Sequence, residues 1–246
     1  MFQTFKKLVK LNLDDLALYL GVEGGLFLVI QIIIGCVMHF GRPDTSVTVA
    51  CILFPIVGGF TALVAGISHV GVSFDQALRF GQTRKRALAL TLGLCAFESA
   101  FALVLGGLLA LAERFLCVPL WARLAGMNGW AMGNIMPVPE GTMVNGALVP
   151  EKTLLIETFT LDWYWWLLIF ALAVGGGVIV GALIQRFGGK GGWIIWGICV
   201  VPMLLLQIFP KELVSSVELV VPVLAVLFVA GFLWSVWSLL HAVVRS

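Results

Sequence analysis

The sequence predicts an all-α, polytopic membrane protein with six transmembrane helices, and three observations support this fold class. Hydrophobic residues make up 61% of the 246-residue chain and charged residues only 11%, which leaves too few polar groups to cover a soluble domain. Six apolar runs have about the 20-residue length that a helix needs to cross a bilayer. The lysines and arginines concentrate in some of the connecting segments, as a fixed membrane topology requires.

We place the six spans at approximately 22–40, 47–68, 87–111, 163–184, 193–209 and 219–241. The fifth run is short and contains Pro202, so it is predicted to be kinked or partly re-entrant. Residues 1–246 are expected to form a single transmembrane domain. Its one long outer segment is predicted at 112–162.

The N-terminal residues 2–20 carry apolar side chains at spacings of three and four, with three lysines away from that stripe. Such a pattern predicts an amphipathic helix lying in the membrane interface. A cytosolic helix that merely flanks the first span is the alternative.

Orientation follows from the 15 lysines and arginines, because cations favour the cytoplasmic side. With a cytoplasmic N-terminus, ten of them lie inside and five outside. Both termini are therefore predicted to be cytoplasmic, in a multi-pass protein of the plasma membrane. The aromatic cluster Trp163–Trp166 then lies at the outer interface, where tryptophan and tyrosine are favoured.

The outer segment 112–162 contains two local patterns. Phe115, Trp121 and Leu124 suggest a short surface helix, and Thr142–Val149 is typical of a hairpin that turns at Asn145-Gly146. Long loops are often functional, but a simple lid over the spans is the interpretation that we favour for this segment.

The stretch 69–86 joins spans two and three and carries four cations within eight residues, namely Arg79, Arg84, Lys85 and Arg86. Ser73 and Gln76 have the spacing of a capping box. A positive-inside loop with a purely topological role would also explain the cations.

A short helix at about 74–80 is expected on the cytoplasmic surface, with Phe74 and Leu78 on one face. Asp75 and Arg79 form an i,i+4 pair. Gly81 is the expected stop signal.

No catalytic or metal-binding constellation is evident, so we do not expect an enzyme. The three histidines are far apart in sequence, and neither a zinc-protease nor a serine-hydrolase motif occurs. The glycine-rich run at 188–192 lacks the first glycine and the hydroxyl of a phosphate-binding loop. The net charge of +2 is too small to suggest a nucleic-acid partner.

Glu98 is the carboxylate predicted to lie well inside a span, where a charge costs a few kcal/mol or more. With Gln31 it is a candidate for a translocation path. Glu98 could also pair with a cation of another subunit or stay protonated, and an interhelical hydrogen bond to Ser99, Gln31 or a similar neighbour is the structural alternative.

Span four carries Ala173, Gly177 and Gly181 on one face, and small residues at this spacing let helices approach closely. Packing between spans of one subunit is the expected role. Pairing of two subunits is the alternative.

Residues Ala77–Lys85 read ALRFGQTRK and resemble the run that enters span three in membrane subunits of ABC-2 type ABC exporters. The resemblance implies that this inner loop is a coupling helix docked on a separate ATPase subunit. The implied contact residues are Phe74, Leu78, Arg79 and Phe80.

By the same resemblance, ATP and Mg²⁺ bind the ATPase and no cofactor binds this chain. The chain would work with a second permease copy or a related chain in contact with membrane lipids. Its cargo would be hydrophobic or amphipathic, such as a peptide, an antibiotic or a lipid-like molecule. A secondary transporter and a non-transporting membrane scaffold or enzyme subunit are the alternative functions.

Overall fold

The computed structural model describes residues 13–133, 143–144, 147–148, 153–188, 190–191, 193, 197 and 217–241. Its long helices are α1 (Leu13–Gly41), α2 (Ala50–Arg79), α3 (Arg84–Leu124), α4 (Trp163–Phe187) and α5 (Val217–Leu240). Its strands are β1 (Thr45–Thr48), β2 (Gly129–Gly133), β3 (Met143–Val144), β4 (Ala147–Leu148) and β5 (Thr153–Thr158). Helices α1, α2 and α3 each contain one π-helical turn, at Leu20–Gly24, His69–Ser73 and Glu113–Cys117 respectively.

Five helices in the described part of the chain are long and apolar enough to cross a membrane. They coincide with five of the six predicted runs and make the described chain mostly helical. The predicted fifth span at 193–209 lies outside the described residues, apart from Trp193 and Gly197.

Three helices extend well beyond their predicted spans, and one of them is α2, which continues to Arg79 instead of ending near 68. Residues 13–41 form one continuous helix, so no break separates the predicted interfacial helix from span one, and residues 1–12 lie outside the described chain. Helix α3 continues to Leu124 rather than ending near 111. Pro119 does not stop it, because the proline follows the π-helical turn at the start of the last α-helical segment, where its missing N–H costs little.

The all-α prediction is wrong in one respect, because the chain also contains β-structure. Strands β1, β5 and β2 form a three-stranded sheet in that order, and both pairings are parallel. Strands β3 and β4 pair antiparallel with Val144 opposite Ala147, which confirms the predicted hairpin. The parallel sheet escaped prediction since its strands are only four to six residues long and pair across up to 110 residues of sequence.

The chain folds into two compact units. The first contains Phe60–Ser99 and the described residues from Phe170 onward; the second contains the described residues up to Gly59 and those between Ala100 and Ile169. The first core includes Val70, Phe74, Leu78, Val178, Ala182 and Leu239. The second includes Met38, Val118, Trp121, Leu154 and Ile156, so Trp121, expected on a surface helix, is a core residue instead.

Small residues of α4 pack closely against α2 within the first unit. Ala173, Gly177 and Gly181 are all buried. A methyl group on Gly177 would lie 3.2 Å from the Gly66 Cα atom, and one on Gly181 would lie 2.6 Å from Val70 Cβ. The stripe therefore packs two helices of the same chain, as expected, and leaves no room for a larger side chain.

Gly181→Ala is expected to lower the free energy of unfolding by about 1–3 kcal/mol, because the added methyl overpacks a site that is already filled. Gly71→Ala is the matched control, since that glycine is also helical and a methyl group added to it would have no neighbouring atom within 4 Å. Thermal unfolding of both variants in detergent measures the difference. Equal stability of the two variants would contradict the close packing of α2 on α4.

Candidate functional site

The turn between α2 and α3 has a fixed backbone conformation. Gly81 adopts the left-handed region at φ +78°. Its N–H donates to the Leu78 carbonyl at 3.0 Å, and the Gln82 N–H donates to the Ala77 carbonyl at 3.1 Å. These two bonds form a Schellman motif, which satisfies the last carbonyls of a helix and confirms Gly81 as the stop.

The predicted capping box is absent, because the segment Phe74–Arg79 continues α2 rather than starting a new helix. Ser73 has helical dihedral angles and makes no side-chain cap. The preceding π-helical turn, His69–Ser73, joins the segment to the rest of α2 without a break. The expected separate coupling helix is therefore the end of a long helix. The Asp75–Arg79 pair does form, with Arg79 Nε donating to Asp75 Oδ2 at 2.9 Å.

Phe74 and Leu78 are buried in the first core, so the expectation that they present an apolar face to a partner is wrong. Phe74 is fully buried and Leu78 is 9% exposed. Both belong to the cluster that contains Val178 of α4 and Leu239 of α5. Burial of their apolar surface within the chain is favourable by about 25 cal/mol per Å², and at most a small part of the Leu78 side chain remains exposed.

The tip of the turn is the exposed part of this segment. Phe80 is 86% exposed, and Arg79 beside it is also exposed. Three more exposed cations follow at Arg84–Arg86. The surface formed by residues 79–86, here called the basic turn, presents one aromatic side chain among four cations.

A buried polar pair connects the two helices that flank the basic turn. His69 Nε2 of α2 lies 3.0 Å and 2.9 Å from the two carboxylate oxygens of Glu98 on α3. His69 is 6% exposed and Glu98 is 1% exposed. Ten residues separate His69 from Arg79, a rise of about 15 Å along the helix. The pair thus fixes α2 to α3 well away from the turn.

A second buried carboxylate lies in the other compact unit. Glu113 accepts hydrogen bonds from Gln31 Nε2 at 3.0 Å and from the backbone N–H of Ala50 at 2.9 Å. Ala50 is the first residue of α2, so this carboxylate meets the partial positive charge of a helix N-terminus. Gln31 is therefore a partner of Glu113, and the hydrogen-bonding partner of Glu98 is His69.

A third buried carboxylate, Glu23 of α1, has a different environment. The residue is fully buried, and neither of its oxygens has a hydrogen-bond partner among the described residues. A methyl group on Gly58 would lie 2.7 Å from Glu23 Oε1, so the glycine provides the space that the carboxylate occupies.

Sequence reasoning identified Glu98 but missed Glu23 and Glu113, because both lie at the edges of the apolar runs at 22–40 and 87–111. The continuation of α1 and α3 beyond those runs is what places them within helices. No family model matches the sequence, and comparison with curated proteins and with solved structures gives no match either.

His69→Ala is expected to lower the free energy of unfolding by about 1–3 kcal/mol, because a buried carboxylate loses a hydrogen-bonding partner. His39→Ala is the matched control, since His39 is an exposed histidine near the end of α1 and its loss should change stability by less than about 0.5 kcal/mol. Thermal unfolding in detergent compares the two. A control that is as destabilised as His69→Ala would show that the buried pair contributes nothing specific.

Proposed function

We propose that this chain is the membrane-spanning permease subunit of an ATP-driven exporter, and that a separate ATPase subunit docks on the basic turn. The observation that carries the proposal is the nearly complete exposure of Phe80 at the tip of a turn closed by a Schellman motif. The resemblance of Ala77–Lys85 to the ABC-2 exporter run adds support.

The surroundings of Phe80 argue for a protein partner rather than lipid. Many exposed apolar side chains of this protein lie on helices long enough to span a membrane, where lipid covers them. Phe80 instead lies between Arg79 and the cations Arg84–Arg86, which the positive-inside rule places in the cytoplasm. An exposed aromatic side chain in a turn that also carries exposed arginines, on a fixed backbone, has the composition of an interface hot spot.

In this proposal Phe74 and Leu78 do not contact the ATPase. They transmit movement of the docked turn to the helices against which they pack. Their burial against residues of α4 and α5 makes the turn a rigid extension of the helices. A displacement of the docked turn would therefore move the packed helices of the first unit together. Allosteric transitions commonly use such movement of packed helices as one body. ATP and Mg²⁺ would bind the ATPase, and a second permease copy or related chain would complete the path across the plasma membrane.

Glu98 and Gln31 remain candidates for the translocation path in this proposal. Glu98 is bonded to His69 and Gln31 to Glu113, and ionisable residues at membrane depth often mark substrate or ion pathways. The expected cargo is hydrophobic or amphipathic.

A secondary transporter is the second candidate function, and the buried His69–Glu98 pair is the observation that favours it. Ionisable pairs inside membrane helices are typical of proton relays in transporters. This alternative requires no ATPase, so a transport measurement on the purified chain without ATPase distinguishes the two functions.

Phe80→Asp is expected to weaken association with the ATPase by about tenfold or more, since loss of an aromatic hot spot costs about 2 kcal/mol. The probe is the soluble ATPase expected from the neighbouring reading frame, and affinity is measured by co-purification and titration in detergent. Phe40→Asp is the matched control, because Phe40 is 82% exposed near the end of α1 on the side predicted to be outer.

Undiminished binding by Phe80→Asp would refute docking at the basic turn. ATP-independent transport by the purified chain, driven by a proton gradient, would instead favour the secondary transporter.

A further inference from the structure

A cavity of about 470 Å³ lies in the second compact unit, within the range of about 300–1,000 Å³ that is typical of ligand sites. Its lining includes Val104, Leu108 and Leu111 from one face of α3, together with Thr48, Thr158 and Thr160. We propose that this cavity binds a lipid-like amphiphile with an anionic headgroup, and that it is a cargo site of the transporter.

The sheet explains why Thr48 and Thr158 both line the cavity. Strands β1 and β5 are parallel and end at Thr48 and Thr158, so their carboxyl ends lie at the same edge. Thr48 Oγ1 donates to the Glu157 carbonyl at 3.4 Å, which holds the two strand ends together at the cavity.

The apolar wall has the arrangement that an acyl chain requires. Val104, Leu108 and Leu111 follow at spacings of four and three, so they form one stripe along α3. Each is more than half exposed, although the helix as a whole is apolar enough to cross a membrane. The stripe therefore offers apolar surface to a molecule that enters from the hydrocarbon core.

The charged residues that line the cavity determine which sign of lipid headgroup it favours. Arg114 lines the cavity, is exposed, and forms no ion pair with any residue that the structure describes. The neighbouring Glu113 is 1% exposed, and its two oxygens already accept hydrogen bonds from Gln31 and Ala50. The accessible charge is therefore positive, which favours an anionic headgroup over a cationic peptide.

Depth in the membrane is consistent with this assignment. Leu111 ends the apolar run predicted to fill the bilayer core, and Arg114 follows three residues later, about 4.5 Å further along the helix. Arg114 thus falls at the level of the headgroups, on the side predicted to be outer. An amphiphile with its chain on the stripe would place its headgroup at this arginine and the hydroxyls of Thr158 and Thr160.

The role of the site in cargo transport rests on the proposed export function, whereas the binding itself does not. The test uses the full chain in nanodiscs of zwitterionic phospholipid without any ATPase. A trace of phosphatidylglycerol with a photoreactive acyl chain is the probe, and the same probe with a choline headgroup is the reference. Mass spectrometry maps the labelled residues.

The glycerol probe is expected to label 104–111 up to about fivefold more than the choline probe, the factor that one exposed ion pair with Arg114 provides. Leu108→Trp should reduce this labelling by filling the cavity, and Arg114→Gln should abolish the headgroup preference. Leu120→Trp and Arg123→Gln are matched controls on α3 that change exposed residues outside the cavity. These two control substitutions should change neither the labelling of 104–111 nor the preference for the glycerol headgroup.

Labelling of 104–111 that does not exceed labelling of the exposed stripe Val223–Leu227 on α5 would show ordinary annular lipid and overturn the site. Equal labelling by both headgroups, or labelling by a cationic amphipathic peptide probe in place of the anionic one, would overturn the headgroup assignment. None of these outcomes affects the docking proposal, because no ATPase is present. Conversely, loss of ATPase docking would leave lipid labelling unchanged.

Discussion

Burial of Phe74 among residues of α4 and α5 is the interaction on which the basic turn depends. It anchors the last turns of α2 in the first core, and the Schellman motif at Gly81 then sets the direction of the tip. The close approach of α2 and α4 at Gly66 and Gly177 is a precondition, because a larger side chain there would separate the helices. The packing of Phe74 behind the turn consequently fixes Phe80 in its exposed position. A displacement of Phe80 would therefore also displace the packed helices of the first unit.

Three buried carboxylates show how the fold accommodates acidic groups inside apolar helices. Such groups are costly at membrane depth, and proteins keep them where they have partners or a function. Glu98 is paired with a histidine and Glu113 lies at a helix N-terminus. Glu23 has no hydrogen-bond partner among the described residues. The first two connect different helices, because Glu98 bonds α3 to α2 and Glu113 bonds α3 to α1 and to the start of α2.

Hydrophobic run length and local turn chemistry were sufficient to predict much of the fold. Five of the six apolar helices, the Gly81 stop, the Asp75–Arg79 pair and the β3–β4 hairpin all depend on neighbours in sequence, and these are present in the described residues. The parallel sheet and the His69–Glu98 pair depend on contacts between distant segments, which periodicity does not encode. Phe74 and Leu78 illustrate the same limit of sequence reasoning. An amphipathic pattern predicts that these apolar side chains will be buried, but it does not distinguish burial within the chain from burial against a partner protein.

The central claim is that the basic turn contacts an ATPase in the cytoplasm, and site-specific photo-crosslinking tests it most directly. A photoreactive phenylalanine analogue is placed at Phe80, or at Phe40 as the control, in membranes that also contain the ATPase from the neighbouring reading frame. The account predicts a cross-linked permease–ATPase product from position 80 and none from position 40. Cross-linking from neither position, or equally from both, would contradict it.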